Sequence, residues 1–496
     1  MTAESSREYD VIVIGAGAVG ENVADRVVRG GLSAVIVENE LVGGECSYWA
    51  CIPSKALLRP GNVLHAAQVI PGASEAVTGV VDAEAALKHR DWFTNNWEDS
   101  SQVEWLDSAG IDLIRGRGRI TGPREVQVDG LDGNSYALKA HHAVVVATGS
   151  TPTIPGIAGL EDVPFWTTRG ATAAKEVPKR LVVLGGGVAG VEMAQAFARL
   201  GSDVAVVARG RLLSSYPEEA ANLVLAGLRA DGIDVRVHTD VEKVEKNDDG
   251  SVTVTLDGGT LQADQLLVAS GRHPSLANLG LESVGVEAPN GKPLKLTTDA
   301  SGLVEGPASD GTSGLWLYAA GDAAGKVLLT HQGKYEARAT GDAIVARANG
   351  KLKGTPQPWS PWAHTANDHA VPSVVFTDPE VASVGLSLEQ ALLQGKNVTG
   401  VELPINVSGS QLHSPDYKGW AQMVVDEDRK VILGATFVGP GVAELLHSAT
   451  IAIVGEVPLD RLWHAVPSYP TISEIWLRLL EKYGLYNLFE LTSQFG

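Results

Sequence analysis

The sequence predicts an α/β protein with two Rossmann-like units and a C-terminal α+β domain. Three observations carry this. Residues 11–14, Val-Ile-Val-Ile, read as a buried strand running straight into Gly15-Ala16-Gly17-Ala18-Val19-Gly20 and then a helical stretch. The pattern recurs at residues 181–184, Leu-Val-Val-Leu, followed by Gly185-Gly186-Gly187-Val188-Ala189-Gly190. From about residue 370 onward, alternating strands with two helices replace the repeated unit. A chain of 496 residues is long enough for roughly three domains.

In the first unit the next strand, residues 34–37, ends in the acid Glu38. A bare GxGxxG is weak, but strand, glycines, helix, strand and terminal acid together signal a dinucleotide site. Glu38 is placed to hold a ribose diol. The second unit can be laid over the first. Glu38 lies 23 positions after Gly15, and the same offset from Gly185 falls on Ala208, with Arg209 and Arg211 close behind. A carboxylate there would repel a 2′-phosphate, whereas guanidinium groups attract and bracket it. The first site therefore suits an adenine nucleotide with a free ribose, and the second suits NADPH. Solvated surface charge is the alternative reading of the two arginines.

The only two cysteines, Cys46 and Cys51, lie five positions apart in a Gly-flanked segment just after the first fingerprint. Two reduced packing thiols are one reading, since free cysteine behaves as a small hydrophobe. Beside a flavin-type nucleotide fold, a redox-active disulfide is the better one. Five residues of regular helix rise roughly 7.5 Å, beyond the roughly 4.4–6.8 Å between disulfide-bonded Cα atoms. If the sulfurs bond, Cys46 must lie in a loop or distorted first turn, with Cys51 in the helix that Pro53 helps start. A cysteine near a helix N-terminus has a depressed thiol pKa. Two nucleotide sites and a dithiol imply an electron path from NADPH through a flavin to the disulfide. Leu317-Tyr318 leading into Ala319-Ala320-Gly321-Asp322 adds a strand end with an acid after a Gly turn.

Composition narrows the function classes. The net charge of −20 and pI near 5.0 disfavour nucleic acid and anionic membranes as partners. Mean hydropathy is near zero with 44% hydrophobic residues, as in a globular protein with a large core, and the 56 glycines fit many tight turns and nucleotide loops. The first residues lack an apolar core of the secretory kind, and apolar runs stop well short of the roughly 20 residues of a membrane span. A cytoplasmic enzyme is expected, in which a disulfide is catalytic rather than structural.

The segment Gly43-Gly44-Glu45-Cys46-Ser47-Tyr48-Trp49-Ala50-Cys51-Ile52-Pro53-Ser54-Lys55, together with Ala147-Thr148-Gly149-Ser150, Ala269-Ser270-Gly271-Arg272, Gly321-Asp322 and the stretch Val371-Pro372-Ser373 through Thr377-Asp378-Pro379-Glu380, resembles the flavoprotein disulfide reductases. That family includes dihydrolipoamide dehydrogenase, glutathione reductase and mercuric reductase, and the resemblance runs nearly end to end. It implies that Cys46 is the interchange thiol facing substrate and Cys51 the thiol nearer the flavin. Lys55 and Glu192 would pair close to the reactive flavin nitrogen, and His331 would lie near the flavin pyrimidine edge. FAD would be held by Gly15, Gly17, Gly20 and Glu38, by Gly44, Lys55 and Gly118, and by Thr148, Gly149, Asp322 and His331. NADPH would be held by Gly185, Gly187, Gly190, Arg209, Arg211 and Gly271. The implied domains are an FAD domain at residues 1–155 and 276–355, an NADPH domain at 156–275 and a dimerisation domain at 370–496. A Pro-rich linker covers 354–362, and Trp92, Trp97 and Trp105 lie on inserted helices as core or interface aromatics. No resident metal is implied.

One departure bears on the acceptor. Members that reduce disulfides read His-Pro-Thr near the C-terminus, with a glutamate five positions after the histidine. Here Tyr469 occupies that place, with Glu474 in register and His464 out of it. Histidine, with a pKa of about 6.5, exchanges protons with a thiol at neutral pH, whereas tyrosine, at about 10, does not. Dihydrolipoamide oxidation and glutathione reduction are thereby disfavoured. Mercuric reductases are similar in bearing tyrosine here, but they add a C-terminal cysteine pair. The final residues 486–496 contain no cysteine, which disfavours efficient mercuric reduction and a C-terminal thiol relay. The expectation is an NADPH-dependent FAD oxidoreductase delivering electrons to a small non-thiol acceptor such as a quinone or oxidised metal ion. The alternatives are a reductase of a small disulfide and a lipoamide dehydrogenase-like complex subunit. A homodimer is expected, with Tyr469 and Glu474 reaching the partner's disulfide.

Overall fold

The structure is a computed structural model describing residues 5–288, 293–306 and 315–484. The cysteine-free tail 486–496 lies outside the described residues. The chain forms two compact units, one of Met1–Pro53, Asp91–Thr153 and Arg272–Asp368, the other of Ser54–Arg90, Ile154–Gly271 and His369–Gly496.

The first unit is built on a six-stranded sheet. Its parallel part runs Leu317–Ala319, Ser135–Val146, Ser5–Ile14, Ala34–Glu38 and the start of Asp112–Gly122. The strand Glu125–Gly130 pairs antiparallel with Asp112–Gly122 and Ser135–Val146. The apolar runs arise because parallel strands are buried on both faces. Ile12, Ile14, Val35, Val37, Val144 and Val146 point into one core, and Val11, Val13, Ala34, Ile36, Ala143 and Val145 into the other. The helices Ala18–Arg29 and Thr330–Ala348 cover the second face, tied by Arg26 to Asp342 at 2.7 Å.

The second unit repeats the parallel motif on a smaller scale. Its four-stranded sheet has the order Gln265–Val268, Arg180–Leu184, Asp203–Val207, Asp234–Arg236. A three-stranded antiparallel sheet follows in residues 241–263. The C-terminal part is a five-stranded antiparallel sheet, order Pro372–Val375, Glu380–Gly385, Val431–Gly439, Trp420–Asp426, Val398–Pro404, packed by the helices Leu446–Val454 and Ile475–Tyr483. The predicted class, α/β with a C-terminal α+β part, is the observed one.

The inserted aromatics meet the core half of the expectation poorly, while Trp92 and Trp105 do lie on helices. Trp92 is 68% exposed and Trp105 is also exposed, so neither is a core residue. Trp97 lies in a 3-10 turn, Asn95–Trp97, rather than on a regular helix.

Candidate functional site

In the first unit the fingerprint forms a cradle. Gly15 has φ 106°, and a Cβ there would sit 2.4 Å from the Ala147 carbonyl oxygen. A Cβ on Gly20 would sit 1.9 Å from the Gly15 oxygen, so the helix can approach the strand only without side chains. Helix Ala18–Arg29 starts at Gly17 with no side-chain cap, leaving first-turn N–H groups for an anion such as a pyrophosphate. A Cβ on Gly44 would be 2.7 Å from the Gly17 Cα, which brings the cysteine turn against this cradle.

The acid at the strand end is placed as expected. Glu38 is buried and accepts from the backbone N–H of Ala16 at 2.6 Å and of Glu40 at 2.7 Å. Burial pushes its carboxyl up against those bonds. Gly118 is buried in its strand, and a Cβ there would meet Val37 at 3.2 Å. The Thr148 hydroxyl donates to the Ser275 carbonyl at 2.7 Å, and Gly149 has φ 72°. Asp322 accepts from the Ser150 hydroxyl at 2.5 Å, and Ser150 accepts from Arg272 Nε at 2.7 Å. A buried acid at the strand end, uncapped N–H groups and a side-chain-free cradle fit FAD.

Cys46 belongs to the five-residue helix Gly44–Tyr48, and Cys51 opens the helix Cys51–Gln68. Gly43 and Gly44 enter the turn at φ 111° and 62°, and Trp49 leaves it at φ −137°. The helix thus breaks between the cysteines. The Cys46 thiol is pushed up by its hydrogen bond to Cys51 and by burial, with Thr330 and Lys334 pulling it down. Cys51 Sγ lies 3.2 Å from Thr330 Oγ1, and His331, next on the same helix, is exposed. Sequence reasoning missed Thr330, although its place at a helix start beside His331 was a usable signal. It also missed Glu21, whose carboxyl burial pushes up to about 7, with Lys334 opposing.

In the second unit the other fingerprint has the same geometry. Gly185 has φ 129° with its would-be Cβ 2.3 Å from the Ala269 oxygen, and that of Gly190 lies 2.1 Å from the Gly185 oxygen. Gly187 caps helix Val188–Arg199 without a side-chain bond and has nothing within 4 Å on its open side. The uncapped helix end fits a nicotinamide dinucleotide's pyrophosphate. Ala208 is buried and Arg209 is exposed. Arg211 folds back on its own loop, donating to the carbonyls of Leu212, Leu213, Ser214 and Tyr216. Gly271 has φ 118°.

Lys55 and Glu192 are brought together at 2.6 Å. Glu192 is 2% exposed and also accepts from the Phe376 N–H at 2.9 Å, while Lys55 lies over the Phe376 ring. Tyr469 is 75% exposed, and its hydroxyl lies 3.5 Å from Ser408 Oγ. Glu474 is buried, and no hydrogen bond joins it to Tyr469 among the described residues.

The family model described as pyridine nucleotide-disulphide oxidoreductase matches residues 9–345, and that of its dimerisation domain matches 371–479. The chain belongs to the pyridine nucleotide-disulphide oxidoreductases. As a member of this family it is an enzyme of flavin and NAD(P)H. A dihydrolipoyl dehydrogenase of Thermus scotoductus is 33% identical over 477 residues, 94% of this chain and 96% of that protein. A mercuric reductase of Lysinibacillus sphaericus is 30% identical over 471 residues, 94% of this chain and 81% of that protein. The solved Cu(II) complex of the HOCl-induced flavoprotein disulfide reductase RclA from Escherichia coli shares the fold, with a TM-score of 0.79 at 23% identity over 96% of this chain and 99% of that one. Among the described residues no helix is long and apolar enough to cross a membrane, and no cluster of three or more His, Cys, Asp or Glu side chains could hold a metal ion.

Proposed function

We propose that this oxidoreductase takes electrons from NADPH, passes them through FAD to the Cys46–Cys51 pair, and delivers them to a non-thiol acceptor, a quinone or an oxidised metal ion. The observation that carries the acceptor reading is Tyr469. It stands where disulfide-reducing members have histidine, and among the described residues no base is bonded to it. A phenol with a pKa near 10 is a poor proton-exchange partner for a thiol at neutral pH. The relatives named mercuric reductase lend support to a metal-ion acceptor.

In this reading Gly15, Gly17, Gly20, Glu38, Gly44, Gly118, Thr148, Gly149, Asp322 and His331 hold the flavin, with Lys55 fixed by Glu192. When bound, FAD supplies the two-electron step between hydride donor and dithiol. Cys51, which opens the helix Cys51–Gln68 with Thr330 Oγ1 3.2 Å from its sulfur, is the thiol we assign to the flavin side. Cys46 is then left as the exchanging thiol. Gly185, Gly187, Gly190 and Gly271 hold the nicotinamide dinucleotide. Arg209 is the cation available to a 2′-phosphate, since Arg211 is engaged by four carbonyls. We assign the FAD domain to residues 1–155 and 276–355, the NADPH domain to 156–275 and the dimerisation domain to 370–496. The family's dimerisation domain supports a homodimer in which Tyr469 and Glu474 serve the partner's site. A cytoplasmic location is part of this reading, since a disulfide in a reducing compartment is catalytic rather than structural.

Two assays test this. Arg209→Ala should lower kcat/KM for NADPH roughly 10- to 100-fold and leave NADH unchanged, the worth of one charged hydrogen bond to phosphate. NADH used as well as NADPH by the wild type would refute the arginine's role. The acceptor is identified by anaerobic screening of quinones, metal ions and disulfides against wild type and Cys46→Ser. Any acceptor reduced through the cysteine pair should lose roughly 10³-fold or more in the variant, whereas a quinone reduced directly by the flavin should keep most of its turnover, a result that would take the pair out of the path. Efficient turnover of a small disulfide by the wild type would overturn the non-thiol reading.

A further inference from the structure

The break between the cysteines is held by a residue outside the cysteine segment. Helix Gly44–Tyr48 ends at Trp49, and the N–H groups of Trp49 and Ala50 both turn back to the Glu45 carbonyl, at 2.8 and 2.7 Å. In an unbroken helix the Tyr48 carbonyl would accept from the Ile52 N–H. Here it accepts from the indole Nε1–H of Trp97 at 3.1 Å. A helix continued through Ala50 would place the Cys46 and Cys51 Cα atoms beyond disulfide reach, by the rise per residue alone.

Trp97 is itself held in an unfavourable backbone. Asn95, Asn96 and Trp97 have φ of 47°, 52° and 59°, three successive non-glycine residues in the left-handed region. Asparagine tolerates that region, but a bulky aromatic residue rarely does. Such backbones persist only where their surroundings over-determine them. The surroundings here are bonds within the turn itself and contacts to the segment that leads into the cysteines. The Asn95 amide donates to the Glu98 carbonyl at 2.8 Å, and Trp97 N–H to the Thr94 carbonyl at 2.9 Å. Asp99 accepts from the Val42 N–H at 2.7 Å and from Arg115, which also reaches the Glu40 carbonyl.

We propose that Trp97 is a positioning residue for the cysteine pair: by taking the Tyr48 carbonyl it holds the helix break that lets Cys46 and Cys51 bond, and so favours disulfide over dithiol. The proposal rests on reading the pair as redox-active. Forming the Cys46–Cys51 bond releases two protons and two electrons. In a dithiothreitol redox buffer the oxidised cyclic disulfide takes both as its own S–S bond breaks.

The test uses the full-length flavin-bound protein, equilibrated anaerobically in such buffers and trapped with a maleimide, the dithiol fraction being read by mass. Trp97→Phe removes only the N–H and should shift the equilibrium about tenfold toward dithiol, about 30 mV. Trp97→His, which keeps a ring N–H, should recover part of that shift. Trp105→Phe, on a different helix, should leave the constant within about twofold of wild type. A Trp97→Phe constant unchanged within that same margin overturns the proposal, even if its thermal midpoint falls, because that would be a purely structural role. Should Trp97→Phe not fold, a Trp97→His protein with a wild-type constant supports the N–H and one shifted as far as tenfold overturns it. A wild type that never interconverts between the two forms overturns the redox reading itself, a distinguishable result.

Discussion

Gly20→Ala is expected to yield protein with less than about a tenth of the wild-type flavin, because overpacking against backbone costs roughly 1–3 kcal/mol and flavin binding is linked to the folded cradle. The added methyl would lie 1.9 Å from the Gly15 carbonyl oxygen, and Gly15 cannot retreat, being held at φ 106° against Ala147. The flavin-to-protein absorbance ratio of the purified variant checks this. Gly190→Ala is the matched experiment in the second fingerprint, where the same methyl would lie 2.1 Å from the Gly185 oxygen. It should keep its flavin and weaken NADPH binding roughly 10- to 100-fold. The pair of variants also tests which fingerprint takes which nucleotide. Flavin lost from Gly190→Ala and retained in Gly20→Ala would reverse the assignment.

The second large effect is expected at Arg199, in the other unit. Its guanidinium, only a tenth exposed, donates to Asp231 at 2.9 Å, to Asp378 at 3.0 Å and to Asn62 at 2.9 Å. His65 bonds the same Asp378 oxygen at 2.5 Å. Arg199→Met keeps the packing but removes the cation shared by two largely buried carboxylates. Asp231 is left with Gln195 and Asp378 with His65, so the cost is on the order of 3 kcal/mol, the low end of roughly 3–5 kcal/mol for a broken buried pair. Urea unfolding followed by tryptophan fluorescence measures it.

The pH dependence has a definite sign. Burial pushes Asp378 up, but His65 and Arg199 outweigh it and hold the carboxyl below its ordinary value of 3.8. That stability is complete above 3.8 and is lost as pH falls through the folded value. The bond to Asp378 raises His65 above its ordinary 6.5, against burial. Its contribution is complete below 6.5 and is lost as pH rises through the folded value. The network is therefore strongest between about pH 4 and 6.5. In Arg199→Met only His65 remains as a cation on Asp378, so the destabilisation should be larger at about pH 8 than at about pH 6. Equal losses at the two pH values would show that His65 does not compensate.

Much of the nucleotide chemistry was legible because its demands are local. Gly15, Gly20, Gly185 and Gly190 are required by strands and helices a few residues away, and Glu38 follows from ending the next strand. The cysteine spacing also carried its own constraint. Five residues of helix cannot bridge two sulfurs, and the structure has a break at Trp49 where that argument required an irregularity. What the break depends on was not legible. Trp97 lies 49 positions from the carbonyl it holds, and nothing in its neighbours marks it. The arginines divide the same way. The missing acid at Ala208 could be counted along the chain, but only the folded loop shows Arg211 spent on its own carbonyls and Arg209 left exposed.

The sequence by itself determined the family, the two glycine fingerprints, the position of the cysteine pair and Tyr469, on which the acceptor proposal rests. Tertiary structure alone decided which other residues stand beside those parts: Thr330 beside Cys51, Trp97 on Tyr48, and Arg199 between Asp231 and Asp378. The physical reason is separation. Steric requirements of a turn are written in contiguous residues, whereas a buried donor finds its acceptor only after the chain has returned, across 313 positions in the case of His65 and Asp378.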